Sequence, residues 1–557
     1  MSGAVAPGQR RAVSAGARAV GTLAQAQRWI AGASGWRRVA IAFGAGALSA
    51  LAMAPFFITP VLFATLPVLV WLIDASEGDT PRARFARAAG AGWWFGFGYF
   101  LLGLFWIGEA FLVEAEKFAW LMPVAVLMLP AGLALFTGAA TGIARLVWPR
   151  GFARVLVLAL TLAMAEWLRG HVLTGFPWNV LGYALTWPLE LMQSVSVLGI
   201  YGLTLLAVAI FAGPAVVIAE GEPEAPRPAL GAGFALAALP LLALYAYGAW
   251  RMPAGASPML DGVRVRIVQA SVPQRDKWRP EKQRAIFEDQ LALSRRDASG
   301  KQDDLAGITH LIWPEAAMPF LPLEHPEALE AIGRLLPDGT QLLSGALRVQ
   351  RADSMSGAQQ AFNSLMVFGA GGALEHVYDK IHLVPFGEYL PMQALLESIG
   401  LEQLTRWRGG FSTGVEPRPL LAIPGLPPVA GLICYEAIFP AAIVQGAQRP
   451  GLIVNLTNDG WFGDTTGPWQ HFHQTRVRAV EEGLPIIRAA NNGVSAVVDP
   501  YGKVITMLML NERGVVDSGI PASIAAPVYA KFGDCTSVGL ALIFLLASVV
   551  LARRRRD

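Results

Sequence analysis

Long apolar runs crowd residues 39–250 and return once, at Thr536–Ala552, just ahead of four consecutive arginines, Arg553–Arg556. A helix crossing a bilayer needs roughly 20 mostly apolar residues, since its backbone finds no water there to bond. Eight runs are candidate spans: Val39–Phe57, Ile58–Ile73, Ala88–Phe111, Phe118–Val147, Val155–Leu168, Glu190–Ala219, Ala229–Trp250 and Thr536–Ala552, of which the second, fifth and eighth are short. With 54% hydrophobic and 15% charged residues, the chain is too apolar for an ordinary soluble protein. The stretch from Arg251 to Cys535, by contrast, reads as a normal globular domain. The expected division is a basic arm over 1–38, seven transmembrane helices over 39–250, a globular domain over 251–535, and a last helix with a basic tail over 536–557.

Arginine placement predicts orientation, because cytoplasmic loops carry the excess of basic residues. The arm holds six arginines and no acidic residue. It lacks an adjoining short apolar core with a cleavage site, so it reads as a cytoplasmic arm and not a signal peptide. Arg82, Arg84 and Arg87 follow the second run, and Arg145, Arg150 and Arg154 follow the fourth. The opposing loop Val113–Lys117 has two glutamates and one lysine, whereas Gly221–Pro228, with Glu222, Glu224 and only Arg227, dissents. Seven spans before Arg251 then place 251–535 outside the cytoplasm. Gly170–Leu189, containing Phe176-Pro177-Trp178-Asn179, is too polar to cross; Trp178 and Trp187 suit an interfacial loop. Glu166 and Arg169 at the edge of a run fit either a functional pair or a snorkelling arginine.

Net charge is +3, too small to point to nucleic acid. Two cysteines exist, Cys434 and Cys535, and a domain of this size needs no disulfide between them. From Val263 the pattern turns to short β-rich runs: Val263–Ala270, Ile308–Trp313, Gln341–Leu347, Ser364–Phe368, Val429–Ile433, Gly451–Leu456 and Val494–Val498. Glu281–Ser294 and Pro468–Glu482 read as helices. Several strands are apolar throughout, as in sheets buried on both faces; the list by itself allows a doubly wound sheet. No phosphate-binding glycine loop or zinc spacing is present, and His471-Phe472-His473, without nearby carboxylate or thiol ligands, reads as structural. No metal and no cofactor are expected.

Cys434 ends the apolar run Val429–Ile433 and is followed by Tyr435-Glu436. A strand that stops at a thiol fixes the backbone while the following turn presents the sulfur. Leu311-Ile312-Trp313-Pro314-Glu315 is another apolar run ending in a carboxylate, and Tyr378-Asp379-Lys380 leads into His382–Glu388. Taken singly, Cys434 reads as a small core residue and Lys380 as a partner of Asp379 or Glu388. Together, a carboxylate, a lysine and a cysteine at three strand ends resemble the Glu-Lys-Cys triad of the nitrilase superfamily. That resemblance implies an α-β-β-α sandwich, with Glu315 as base, Lys380 stabilising the oxyanion and favouring the thiolate, and Cys434 as nucleophile. Glu388 and Glu436 would hold Lys380 and the turn, although Glu436 also fits a solvated turn residue.

From about Val39 onward the chain resembles the bacterial apolipoprotein N-acyltransferase family. The matching motifs are Phe176–Asn179, Ser271–Gln274 with Lys277-Trp278, Trp313–Glu315, His382–Tyr389, Cys434–Glu436 and Leu456–Phe462. The resemblance implies that an acyl chain moves from a membrane phospholipid, through a Cys434 thioester, to the N-terminal amine of a diacylated apolipoprotein. It also implies a substrate-binding role for Trp278, a role for Tyr435 either in supporting the triad or in binding substrate, and a bacterial inner-membrane location with the catalytic domain on the periplasmic face. Pro391–Leu404, with Met392, Leu395, Leu396 and Ile399 on one face and Glu397 and Glu402 elsewhere, is a candidate lipid gate. So is the cluster Trp461, Phe462, Trp469 and Phe472. Two competing readings are an anchored amidase or nitrilase, for which one span suffices, and a transporter or scaffold, for which the triad has no use.

Overall fold

A computed structural model describes residues 21–216, 230–351, 359–398, 403–404 and 410–554. Most of the basic arm, the loop Gly221–Pro228, Ile399, Glu402, Arg555 and Arg556 lie outside the described residues. The chain forms two compact units: 1–105, 126–251 and 534–557 in one, and 106–125 with 252–533 in the other.

The first unit is helical. Among the described residues of the whole chain, four segments are long and apolar enough to cross a membrane: Pro81–Leu112, Ala115–Leu146, Val195–Val216 and Cys535–Arg553; Thr59–Asp74 is apolar but shorter. Helices Gly35–Ser49, Phe152–His171 and Leu230–Arg251 occupy the other runs. Within this unit the Phe176–Asn179 segment is not a superficial loop. Trp178 is 1% exposed, while Trp187 is 53% exposed. Arg169 does not snorkel: it is buried and donates to the Trp178 carbonyl at 2.9 Å. Glu166 accepts from the Leu181 amide at 2.9 Å and the Thr204 hydroxyl at 2.8 Å. Both side chains stitch this loop to the helices, since buried charge is tolerated only where it is bonded.

The second unit contains, among the described residues, twelve strands in two six-stranded sheets. One has the order β12-β1-β2-β3-β4-β5, built from Gly514–Ser518, Val265–Gln269, His310–Trp313, Gln341–Arg351, Gln359–Phe368 and Leu374–Asp379. The other has the order β11-β10-β9-β8-β7-β6, from Val504–Leu508, Ser495–Val498, Ile486–Ala490, Leu452–Thr457, Val429–Ile433 and Leu420–Leu421. Strand alternation explains the layering. Ile267, Ile312, Leu343 and Leu365 of the first sheet pack against Val429, Ile433, Val454 and Ile487 of the second. Their neighbours Val268, Leu311 and Leu342 face outward onto Phe287 of helix Pro280–Ser294 and Ile332 of helix Pro326–Leu335. Ala430, Leu432 and Ile453 face Phe472 and Ala479 of helix Gly467–Glu482. Two sheets clad by helices form the α-β-β-α sandwich, and a single doubly wound sheet is excluded.

Candidate functional site

Strand direction brings the three candidates to one edge of each sheet. β2 runs parallel to β3, β3 antiparallel to β4, and β4 antiparallel to β5. β2 and β5 therefore point the same way, and Glu315 and Lys380 both follow carboxyl ends. In the other sheet β7, β8 and β9 are parallel, with Cys434 just past β7 and Thr457 ending β8. Two glycines permit the approach. A Cβ on Gly345 would lie 2.4 Å from the Glu315 Cα, and one on Gly431 3.0 Å from the Tyr378 ring. Cys434 itself has φ +48°, and Ala316, after Glu315, also has φ +48°. For non-glycine residues that conformation is uncommon and persists where the surroundings enforce it.

Lys380 is 1% exposed. Its Nζ lies 2.9 Å from Glu388 and 3.9 Å from Glu315; Asp379 instead pairs with Arg348 at 2.6 Å. Asn363 bridges the two glutamates, donating to Glu315 Oε1 at 2.7 Å and Glu388 Oε1 at 3.0 Å. Glu315 Oε2 is buried and accepts no hydrogen bond among the described residues. Burial pushes the Glu315 carboxyl above its usual range; Lys380 opposes that and Glu388 adds to it. Burial pulls Lys380 down, but Glu388 and Glu315 outweigh it and hold the ammonium charged. These directions agree because the nearer carboxylate, Glu388, takes most of the cation's field. Burial, and then Glu315, push the Cys434 thiol up, against Lys380. Lys380 lowers the Cys434 thiol, but burial and Glu315 together outweigh it, and the carboxylate beside the thiol is underbonded on Oε2.

Glu436 is 1% exposed, which removes the solvated-turn reading. One oxygen accepts from the Ile433 amide at 2.7 Å. The other accepts from Tyr378 at 2.7 Å and from the Ile381 and His382 amides at 3.1 and 3.2 Å, and faces Arg418. It thereby ties the Cys434 turn to the segment after Lys380. Tyr435 is buried with its ring edge-on to Phe439, 5.1 Å between centroids. Trp278 caps the short helix Gln274–Lys277 and is half-buried. Its neighbour Lys277 reaches the candidate site, donating to the Glu315 carbonyl at 3.1 Å. Burial lowers Lys277 to about 8. In the sequence Lys277 stands out only within its motif, and Asn363 and Arg418 do not stand out at all. The motif supplied a signal for Lys277; nothing local marks the other two.

His471 also differs from its sequence reading. The fold brings it to both a carboxylate and a thiol, with ligand atoms of Cys434, Asp459 and His471 within 4.8 Å of one another. Asp459, however, bonds Arg488 at 2.8 Å and His471 at 2.9 Å, so a fixed cation already neutralises the acid and the set does not fit a metal. The proposed gate cluster divides. Phe472 and Trp469 belong to the outer core of the second sheet, whereas Phe462 meets Trp106 edge-on at 4.6 Å. In the other gate segment Met392 and Leu395 are exposed and Leu396 is half-buried.

Family models match over most of the chain: the apolipoprotein N-acyltransferase N-terminal domain over residues 45–213 and carbon-nitrogen hydrolase over residues 264–528. An apolipoprotein N-acyltransferase of Rhodopseudomonas palustris is 49% identical over 96% of this chain and 98% of its own. One of Bradyrhizobium diazoefficiens is 48% identical over 94% of this chain and 96% of its own. A solved amidase from Nesterenkonia sp. is 20% identical, covering 48% of this chain and 94% of that one, with a TM-score of 0.31. On the near-full-length identity and the two family models, the chain belongs to the apolipoprotein N-acyltransferase family.

Proposed function

We propose that the protein transfers an acyl chain from a membrane phospholipid, through a thioester on Cys434, to the N-terminal amine of a diacylglyceryl-cysteine on an apolipoprotein. Glu315 Oε2, buried and without a hydrogen bond among the described residues, on a carboxylate 3.9 Å from the Lys380 ammonium, is the observation that carries this reading. Glu315 takes the Cys434 proton as sulfur attacks the phospholipid ester carbonyl, and Lys380 stabilises the oxyanion. Glu315 then returns the proton to the departing lysophospholipid alkoxide. In the second half the neutral amine attacks the thioester, and its proton passes through Glu315 to the leaving sulfur. An α-amine has pKa near ~8, so an appreciable fraction is neutral at pH 7. A thioester retains enough transfer potential to form an amide without a nucleotide. Burial of the triad keeps water from the intermediate.

Both substrates are lipids, which accounts for a catalytic domain on a membrane body. We infer eight spans in the bacterial inner membrane, seven over 39–250 and one over 536–557, between a cytoplasmic arm at 1–38 and the domain at 251–535 on the periplasmic face. Trp278 and Tyr435 are assigned to substrate binding, and the exposed Met392 and Leu395 to the lipid approach. The decisive experiment incubates the purified protein with phospholipid vesicles alone. One acyl chain should appear by mass on Cys434, be cleaved by neutral hydroxylamine, and be discharged by a diacylated lipopeptide, with ping-pong kinetics. Product formed only with both substrates present, and never an adduct on Cys434, sinks the thioester. In the same protein carrying Cys535→Ser and Ala298→Cys, an impermeant thiol reagent should label position 298 from outside spheroplasts. Labelling only after lysis reverses the orientation.

A further inference from the structure

The left-handed conformation of Cys434 is held from both sides. On the upstream side Glu436 accepts the Ile433 amide. On the downstream side the Cys434 carbonyl faces His471 Nε2 at 3.1 Å. The imidazole sits on helix Gly467–Glu482 with its other nitrogen 2.9 Å from Asp459 Oδ1 and 3.1 Å from Arg488 Nη2. Arg488 in turn donates to Asp459 Oδ2 at 2.8 Å, and Thr457 donates to Asp459 Oδ1 at 3.0 Å. Every side chain of the chain His471, Asp459 and Arg488 has no exposure to solvent.

We propose that His471 is a positioning residue for the reaction at Cys434: its Nε2–H holds the Cys434 carbonyl and so fixes the turn that aims the sulfur between Glu315 and Lys380. The proton count supports this. A carbonyl only accepts, so Nε2 must carry a hydrogen. Burial and the Arg488 charge hold His471 below the ordinary histidine range, against Asp459 and the Cys434 carbonyl, which favour hydrogens on the ring. Nδ1 lies 2.9 Å from Asp459 Oδ1, and a carboxylate oxygen only accepts, so Asp459 fixes the ring through a hydrogen on Nδ1, while the Thr457 hydroxyl and Arg488 also donate to Asp459. Asp459, held at about 2 chiefly by Arg488 against the cost of burial, remains a carboxylate throughout. The arrangement sets a histidine, itself braced by a buried Arg–Asp pair, against one backbone carbonyl. That is a large investment for a packing role that a leucine could fill.

The inference rests on Cys434 being the acyl carrier, and its test separates the two. Full-length native protein, His471→Gln, His471→Asn and His471→Leu are mixed with vesicles of phosphatidylethanolamine and phosphatidylglycerol. The single-turnover rate of acylation at Cys434 is followed by mass against phospholipid concentration, with a melting temperature for each. A glutamine amide reaches about as far as Nε2, whereas an asparagine amide reaches only to Nδ1. Leucine and asparagine should lower the maximal rate by about ten-fold or more, the order expected for a sub-ångström displacement of a reacting atom, with half-saturation changed by less than about two-fold. Glutamine should recover the rate to within about three-fold of native. A native rate in His471→Leu, a glutamine variant no faster than the asparagine one, or rate losses that merely follow melting temperature would overturn the role. If His471→Leu does not fold, the glutamine–asparagine contrast decides alone. An absence of adduct in the native protein sinks the thioester reading as well, and is thereby told apart from failure of the histidine.

Discussion

Glu315 and Glu436 lie in the same domain, both more than nine-tenths buried, and their surroundings treat them in opposite ways. Glu436 has Arg418 beside it and accepts from Tyr378 and three backbone amides. Burial would raise its pKa, but those partners hold it below the carboxylate range. Among the described residues, Glu315 has one amide donor on Oε1, a shared ammonium 3.9 Å away, and no hydrogen bond on Oε2. Its pKa goes up. A carboxylate with every lone pair filled has no affinity left for a proton and serves as a clamp. One that is buried and half-served is unstable as an anion and ready to accept a proton. The domain invests in the first to hold the second in place.

The largest effect that would break this contrast is expected at the clamp. Glu436→Gln leaves Arg418 as a buried cation without its counter-charge, a loss of about 3–5 kcal/mol for such pairs. Thermal unfolding should fall by many degrees, and acylation of Cys434 should disappear with the fold. The pH dependence has a definite sign. A carboxylate with a depressed folded pKa contributes stability above its unfolded value, roughly 4.3, and loses it as pH falls through the folded value. Native protein should therefore lose more stability on acidification than Glu436→Gln does. A variant that melts within about 2 °C of native would show that Glu436 is not a clamp.

Glu315→Gln should do the reverse. The rate of acyl-enzyme formation should drop by at least ~10²-fold, the usual order for a general base. Lys380→Met belongs with it, as the loss of an oxyanion donor, but leaves Glu388 unpaired and should also cost stability. The anion of Glu315 costs stability once pH rises above its unfolded value, so removing its charge relieves that cost. At pH 8 the melting temperature of Glu315→Gln should equal or exceed that of native protein. A slow variant with a lowered melting temperature makes Glu315 a structural residue, and a fast one removes it from the mechanism.

Much of this contrast was legible in the sequence where an apolar run ends in a polar group. Glu315, Lys380 and Cys434 each follow such a run, because a buried strand must be apolar until it emerges. The sheets were half legible for the same reason. β7 reads as Val-Ala-Gly-Leu-Ile, but β9 carries Arg488 in its middle and β5 reads Leu-Glu-His-Val-Tyr-Asp, so neither announces a strand. Arg488 is tolerated there only because Asp459, twenty-nine residues away, neutralises it. Asn363 and Arg418 were invisible, and His471 was legible only as a structural histidine, for a related cause: their roles come from partners distant in sequence, and no local spacing encodes them. Phe176–Asn179 looked interfacial because tryptophan prefers interfaces, whereas Arg169 and Glu166 supply the bonds that bury it.

The smallest expected effect tests the contrast from outside it. Cys535 and Cys434 are both free thiols. Cys535 begins helix Cys535–Arg553 and is exposed. If burial beside Glu315 is what turns a thiol into the acyl carrier, exposure and ordinary chemical reactivity count for nothing here. An alkylating reagent should then modify Cys535 faster than Cys434, because burial and the Glu315 charge keep the Cys434 thiol protonated. Cys535→Ser should nonetheless retain the native rate of acylation and of triacylated product, while Cys434→Ser gives little or no adduct, since a serine hydroxyl ionises far less readily than a thiol. Reversal of either pair, with Cys535→Ser inactive or Cys434→Ser acylated at the native rate, would mean that the environment around Glu315 does not choose the nucleophile.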